Sequence, residues 1–146
     1  MNPVALYSFM TQHRFGVVSS VSGDGVPQSA LVGIAITPQL EIIFDTVKSS
    51  RKYPNLIARP VCSFVVGRVG EQTVQFEGYA IEPDEPDLKR YQEMYFAVWP
   101  ECKAHRSWPD IAYFVVRPRW IRYSDYDQKP CFIEEISIST EDASLL

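Results

Sequence analysis

The fold of this chain is decided by residues 40–52, which read LEIIFDTVKSSRK. The apolar run at residues 40–45 contains two isoleucines and a phenylalanine, a composition that predicts a strand. A serine pair follows almost at once, and serine is a preferred residue at the start of a helix. Pro60 prevents the helix from continuing, and Pro54 fits only in its first turn, so the helix should start at about residues 50–52. The segment therefore predicts a strand that leads directly into a short helix.

Five further segments have the composition of strands and are separated by turn residues. A Gly-Asp-Gly turn at residues 23–25 closes a hairpin, and Thr37-Pro38-Gln39 forms the next turn. Strands connected by short turns pair antiparallel. Two other segments have apolar residues at helical spacing, residues 3–12 and residues 84–99. The five additional strands are predicted at residues 15–22, 28–37, 61–67, 73–81 and 111–123.

Six strands joined mostly by hairpins, with one longer helix, predict a mainly β protein with short helices. A six-stranded antiparallel barrel is the expected architecture, and an open six-stranded sandwich is the alternative. The 146 residues correspond to one ordinary domain. We place this domain at residues 1–126. Residues 127–146 are acidic and rich in serine and threonine, and we expect them to form a tail that is loose or lies over a partner subunit.

The charge and hydropathy of the chain exclude several classes of protein. Its formal net charge is −4, which argues against a dedicated nucleic-acid-binding protein. No apolar run approaches the roughly 20 residues of a membrane span, and the N-terminus lacks the pattern of a secretory leader. We therefore expect a protein of the cytoplasm with no membrane and no nucleic acid among its partners.

The cysteines and histidines form no recognisable motif. Cys62, Cys102 and Cys131 are odd in number and contain no C-x-x-C pair, so neither a disulfide framework nor a zinc site is expected. His13 and His105 are isolated and belong to no hydrolase motif. A histidine–cysteine dyad assembled across the fold remains open. No residue is assigned a catalytic role.

The junction between the predicted strand and helix has the residue types that bind a phosphate. Thr46 and Ser50 offer hydroxyls, and Arg51 and Lys52 are adjacent cations. Arginine can bind phosphate oxygens in a bidentate manner, and lysine adds a point charge. The free N–H groups at a helix start also favour an anion. The alternative is that both cations are solvated charges on the helix surface.

Thr46 followed by Ser50-Arg51-Lys52 resembles the phosphate-binding segment of the pyridoxamine 5′-phosphate oxidase-like family of FMN-binding split barrels. The resemblance extends from about residue 15 to residue 123 and implies a homodimer with FMN sites at its interface. It also implies a six-stranded antiparallel split β-barrel of the FMN-binding type. The other similar elements occur in the family's order: the strand at residues 15–22, the Gly-Asp-Gly turn, PQSALV at residues 27–32, Asn55-Leu56, Arg59-Pro60 and Phe76-Glu77-Gly78.

The same resemblance implies roles for individual residues. Arg51 and Lys52 would bind the FMN phosphate with the hydroxyls of Thr46 and Ser50. Asp45 would lie beside the cofactor, at a position where the family's oxidase often has an aromatic residue. The remaining implied cofactor-binding residues are Ser29, Ala30, Leu31 and Val32 beneath the isoalloxazine ring, Thr73 or Gln75 from the neighbouring subunit, and Trp108 flanking the flavin. For Trp108, packing in the core or the interface is the alternative.

The sequence departs from the vitamin B6 oxidase at the substrate site. That oxidase has basic residues at the two ends of its second strand, where this chain has Ala30 and Ala35. Its C-terminal Arg-x-His motif is also absent, because Trp120 is followed by IRYSDY. We therefore expect a family relative, an FMN-dependent oxidoreductase with an unknown small-molecule substrate. The alternatives are a non-catalytic flavin carrier or electron-transfer protein, and a reductase that uses the deazaflavin F420 on the same barrel. Haem has little support, because the two histidines stand alone.

Overall fold

A strand and a short helix form around residues 40–52, as predicted. The computed structural model describes residues 2–138. Three α-helices lie in this range, α1 (Pro3–Met10), α2 (Lys52–Ala58) and α3 (Asp87–Val98), and a 3₁₀ helix follows α3 at Pro100–Ser107. The strands are β1 (Phe15–Val21), β2 (Pro27–Gly33), β3 (Ala35–Ile36), β4 (Ile42–Val47), β5 (Val61–Val69), β6 (Gln72–Ile81), β7 (Ile111–Asp125) and β8 (Phe132–Ser137).

The strands form one antiparallel sheet in the order β2-β1-β5-β6-β7-β4-β3, and β8 also pairs with β7. The two ends of this order are neighbours in sequence, because only Ile34 separates β2 from β3. The chain therefore draws the two edges of the sheet together, and the sheet curls into a half-barrel. The predicted class, a mainly β antiparallel split barrel, is confirmed.

The described residues contain two strands more than the six predicted. The segment at residues 28–37 is divided at Ile34, whose N–H donates to the carbonyl of Arg14 at 2.8 Å. The second additional strand, β8, lies in the segment whose composition predicted a loose tail. It pairs with the C-terminal half of β7, and its Ile136 packs against the core, which gives the segment a hydrophobic reason to fold. The expectation for residues 139–146 falls outside the described residues.

Two buried layers hold the sheet and its helices together. The interior of the barrel is filled by side chains such as Val18, Phe44 and Phe64, and α1 closes one side of it with Leu6 and Met10. A second layer lies on the outer face of β3, β4 and β7, beneath α3. Its members are Ala35, Ile43, Tyr91, Tyr95, Phe96, Trp99, Tyr113 and Val115. Alternate residues of β4 therefore face two different cores.

The predicted helices are present with small differences in length. The helix expected at residues 84–99 begins at Asp87, because Pro86 occupies its N-cap position. Pro100 ends that helix, as predicted, and also starts the 3₁₀ helix, which the apolar spacing did not indicate. None of the helices in residues 2–138 combines the length and the apolar character needed to cross a membrane.

Candidate functional site

The junction between β4 and α2 brings together the two hydroxyls that were predicted to meet a phosphate. The Thr46 and Ser50 hydroxyl oxygens lie 2.9 Å apart. They meet because the chain turns between them, and the Ser50 N–H donates to the carbonyl of Val47 at 3.0 Å. The junction thus holds a pair of hydrogen-bonding hydroxyls in a fixed position.

Within residues 2–138 neither cation of this junction forms an ion pair with a carboxylate, although the more distant Asp45 acts on the charge of Lys52. Arg51 is exposed, whereas Lys52 is half-buried. Burial lowers the pKa of the Lys52 ammonium, and repulsion from the adjacent Arg51 lowers it further. An anion bound between the two side chains would offset both unfavourable effects.

The helix that follows the junction is tied to the barrel by a buried amide. The Asn55 side chain donates to the Ser20 hydroxyl at 3.1 Å and to the Gln28 side-chain oxygen at 2.9 Å. On the other side of the junction, the Lys48 N–H donates to the carbonyl of Asp110 at 2.7 Å. These bonds fix the position of the junction relative to the start of β2 and to β7.

The predicted ring-binding residues lie on an edge strand. Residues Ser29, Ala30, Leu31 and Val32 belong to β2, which pairs with β1 on one side and has no partner strand on the other among the described residues. Their side chains alternate between the outer face, where Leu31 is exposed, and the barrel interior, where Val32 is buried. The free edge of β2 can therefore offer backbone N–H and carbonyl groups to a flat polar ligand.

Asp45 points away from the hydroxyl pair, because adjacent residues of a strand face opposite sides of the sheet. Its Oδ1 accepts a hydrogen bond from the Tyr95 hydroxyl at 3.3 Å, and its buried Oδ2 has no hydrogen-bond partner in residues 2–138. Burial raises the pKa of the Asp45 carboxyl, while Tyr95 and His105 act in the opposite direction. The side chain predicted to lie beside the cofactor is thus directed into the second buried layer, although the charge of Lys52 still reaches it.

The other predicted residues lie apart from the junction. Trp108 is exposed at the end of the 3₁₀ helix and stacks on His105, with 4.0 Å between the ring centroids. Thr73 and Gln75 lie on β6, and no hydrogen bond joins either side chain to the junction within the described residues. Their implied role requires a second subunit.

A polar cluster around Asp45 was not predicted from the sequence. One potential ligand atom from each of Asp45, Cys102 and His105 lies within 4.8 Å of the others. Tyr113 is paired with Asp45 across β4 and β7, and its buried hydroxyl has no hydrogen-bond partner in residues 2–138. The only signal in the sequence was the spacing of Cys102 and His105, which a helix would place on one face.

Several solved structures share this fold. The haem-binding protein from Mycobacterium smegmatis aligns with a TM-score of 0.82 and 14% identity, covering 99% of this chain and 61% of that one. A pyridoxamine 5′-phosphate oxidase-related FMN-binding protein from Nostoc punctiforme aligns with a TM-score of 0.70 and 12% identity, covering 96% of this chain and 88% of that one. General Stress Protein 26 from Bacillus anthracis aligns with a TM-score of 0.70 and 21% identity, covering 94% of this chain and 100% of that one. This chain thus spans about three fifths of the mycobacterial protein. At these identities the similarity establishes the fold alone.

A comparison with curated protein sequences gives no match. The sequence profile described as pyridoxamine 5′-phosphate oxidase matches residues 4–125. The matched region contains all of β1 to β7 and the whole junction between β4 and α2. It covers most of the chain and confirms the resemblance seen in the sequence. The chain therefore belongs to the pyridoxamine 5′-phosphate oxidase family.

Proposed function

We propose that this protein binds FMN, with the phosphate at the β4–α2 junction, and acts as a flavin-dependent oxidoreductase on a small molecule. The observation that supports this most is the pairing of the Thr46 and Ser50 hydroxyls at 2.9 Å, next to two cations that form no ion pair with a carboxylate of residues 2–138. Together they provide hydrogen bonds and positive charge at one point, as a phosphate dianion requires. Family membership and the likeness to an FMN-binding protein point the same way.

The remaining contacts follow from where the strands lie. The free edge of β2 at Ser29–Val32 would meet the polar edge of the isoalloxazine ring with backbone groups. Trp108, exposed beside the 3₁₀ helix, offers an aromatic face to a bound ring. Bound FMN supplies hydride chemistry, and the protein supplies binding, orientation and electrostatics. No acid or base from the chain is required if the substrate is a hydride donor or an electron-poor acceptor.

A homodimer would complete this site. Leu31, Val17 and Val65 form an apolar row across β2, β1 and β5, and they are 67%, 37% and 50% exposed. Gln75 continues the same row on β6, opposite Val65. A contiguous apolar row of this kind favours a second subunit as its cover. A second subunit that covers this row would also contact Gln75. The role toward the flavin that the resemblance implies for Gln75 requires this position at the interface.

On this proposal, the substrate of the protein differs from the substrate of the vitamin B6 oxidase. Ala30 and Ala35 stand where a second phosphate would need cations, and Ala35 is buried in the layer beneath α3. The three cysteines are free, which suits a reducing compartment such as the cytoplasm.

The double substitution Arg51→Ala with Lys52→Ala tests the phosphate site. We expect it to abolish flavin retention, because both positive charges are lost from the junction. The measurement is the flavin-to-protein absorbance ratio after purification and after reconstitution with FMN. The matched control is Lys89→Ala with Arg90→Ala, which removes two adjacent exposed cations from α3 and should retain the flavin. Full occupancy in the first variant would overturn the assignment.

The likeness to the mycobacterial haem-binding protein supports a second candidate cofactor on the same barrel. The absorption spectrum of the purified protein separates the possibilities. FMN gives two visible and near-ultraviolet bands, F420 gives one band, and haem gives an intense Soret band. Turnover with NAD(P)H and small electron acceptors then distinguishes an oxidoreductase from a carrier.

A further inference from the structure

We propose that Asp45, Cys102 and His105 form a binding site for a divalent transition-metal ion of the Zn²⁺ class. The three side chains each contribute one potential ligand atom, and these atoms lie within 4.8 Å of one another. The site lies between the outer face of β4 and the 3₁₀ helix, on the opposite side of β4 from the Thr46–Ser50 hydroxyl pair. The proposed metal binding does not require bound flavin, although the charge of Lys52 reaches Asp45 and His105 stacks on Trp108.

Local geometry explains how two of the ligands come together. A 3₁₀ helix has three residues per turn, so positions i and i+3 lie directly above one another. Cys102 and His105 have this spacing within Pro100–Ser107 and therefore share one face. The imidazole of His105 is held by its stack on Trp108 at 4.0 Å.

The start of the 3₁₀ helix is bonded to the residue between β2 and β3 and to the segment before β1. The indole N–H of Trp99 donates to the carbonyl of Ile34 at 3.0 Å, and Arg14 pairs with Glu101 at 3.0 Å. Asp45 is supplied by β4, far away in the sequence. The site is therefore assembled from two elements whose relative position is held by contacts outside it.

Two buried polar atoms at this site, one of them on a proposed ligand, lack hydrogen-bond partners within residues 2–138. They are the Oδ2 of Asp45 and the hydroxyl of Tyr113, a residue only 4% exposed. Their residues are directly paired across β4 and β7, so both side chains lie on the same face of the sheet. A buried polar group without a hydrogen-bond partner is unfavourable. A metal ion bound by the Asp45 carboxylate, with a water ligand accepting from or donating to Tyr113, would satisfy both groups.

The ligand set selects the class of metal. Thiolate, imidazole and carboxylate together suit Zn²⁺ and its first-row neighbours, whereas Mg²⁺ and Ca²⁺ prefer oxygen ligands alone. Ligands at about 2.0–2.3 Å from a tetrahedral ion lie about 3.3–3.8 Å apart, which small side-chain rotations can reach here. All three residues are only half-buried, so an ion can enter from solvent. Three protein ligands leave a fourth position for water or a substrate.

Titration of the full-length purified protein with Co²⁺, after removal of metals by a chelator, tests the site. We expect one Co²⁺ per chain, a thiolate-to-cobalt charge-transfer band in the near ultraviolet, and loss of that band when Zn²⁺ is added. Cys102→Ser should remove the band. His105→Ala should weaken Co²⁺ binding about tenfold or more.

Cys131→Ser is the matched control, because Cys131 is an exposed free thiol outside the site, and it should leave both measurements unchanged. Absence of the band in the natural protein, or its retention in Cys102→Ser, would overturn the proposal. If Cys102→Ser fails to fold, unchanged Co²⁺ affinity in His105→Ala would overturn it equally. The variant Arg51→Ala with Lys52→Ala should still bind Co²⁺, so a failed flavin proposal and a failed metal proposal give different results.

Discussion

At the level of single residues, burial separates the cysteines in reactivity. Cys62 is 5% exposed inside the barrel, and burial raises the pKa of its thiol to about 12. The raised value means that the folded protein disfavours the thiolate, which is the reactive form. Cys131 is exposed on the segment before β8. The same residue type therefore has two reactivities that only its surroundings determine.

We expect iodoacetamide at about pH 9 to modify Cys131 in the native protein and to leave Cys62 unmodified, because the Cys62 thiolate forms only near its raised pKa. Peptide mass spectrometry measures both sites in one sample. In denaturant both cysteines should react, which is the internal control. Native labelling of Cys62 at the rate of Cys131 would contradict its burial.

At the level of elements, β6 and β7 pair around an irregularity that depends on a glycine. Glu77 pairs with Trp120 and Gly78 pairs with Pro118, so Arg119 is an extra residue in β7 and forms a bulge. A Cβ on Gly78 would contact the carbonyl oxygen of Arg117. The close approach of the two backbones at this point therefore requires glycine.

Gly78→Ala should destabilise the protein by about 1–3 kcal/mol, because a backbone atom cannot move aside as a side chain can. Urea unfolding measures the change in the free energy of unfolding. Gly23→Ala is the matched control, since an added Cβ there meets nothing within 4 Å, and its effect should be close to zero. Equal stability of the two variants would show that the sheet can relax at the bulge.

At the level of the whole molecule, the apolar row of Leu31, Val17 and Val65 is a hydrophobic surface that a single chain leaves exposed to solvent. It crosses three neighbouring strands and begins on β2, the edge strand of the proposed flavin site. Cofactor binding and assembly would therefore depend on the same surface. On the proposed function, the oligomeric state would then influence flavin affinity.

In the proposed homodimer, Leu31→Asp should shift the equilibrium toward monomer, because the carboxylate would lose its hydration in the interface. A cost of roughly 3 kcal/mol corresponds to about a hundredfold increase in the dimer dissociation constant. Analytical ultracentrifugation over a concentration series measures this constant. Val4→Asp, at an exposed position of α1, is the control and should leave assembly unchanged. A natural protein that is monomeric at micromolar concentration would contradict the shared interface.

The sequence by itself determined the features that depend on neighbouring residues. Strand and helix positions follow from short-range periodicity and from Pro and Gly, so the strand–helix junction was predicted to within two residues. Thr46, Ser50 and the two cations could be grouped for the same reason, since one turn of chain brings them together. The mainly β class followed from the order of these local elements, and the family and its split barrel followed from the resemblance of the motifs.

Only the tertiary structure decided which distant residues meet. The pairing of Asp45 with Tyr113 depends on the register of β4 against β7, and the approach of Cys102 and His105 to Asp45 depends on how the 3₁₀ helix lies on that face. The pairing of β8 with β7 was hidden for the same reason, because an acidic composition does not reveal that Ile136 reaches the core. Long-range register is set by the packing of the whole sheet, and no local pattern in the sequence specifies it.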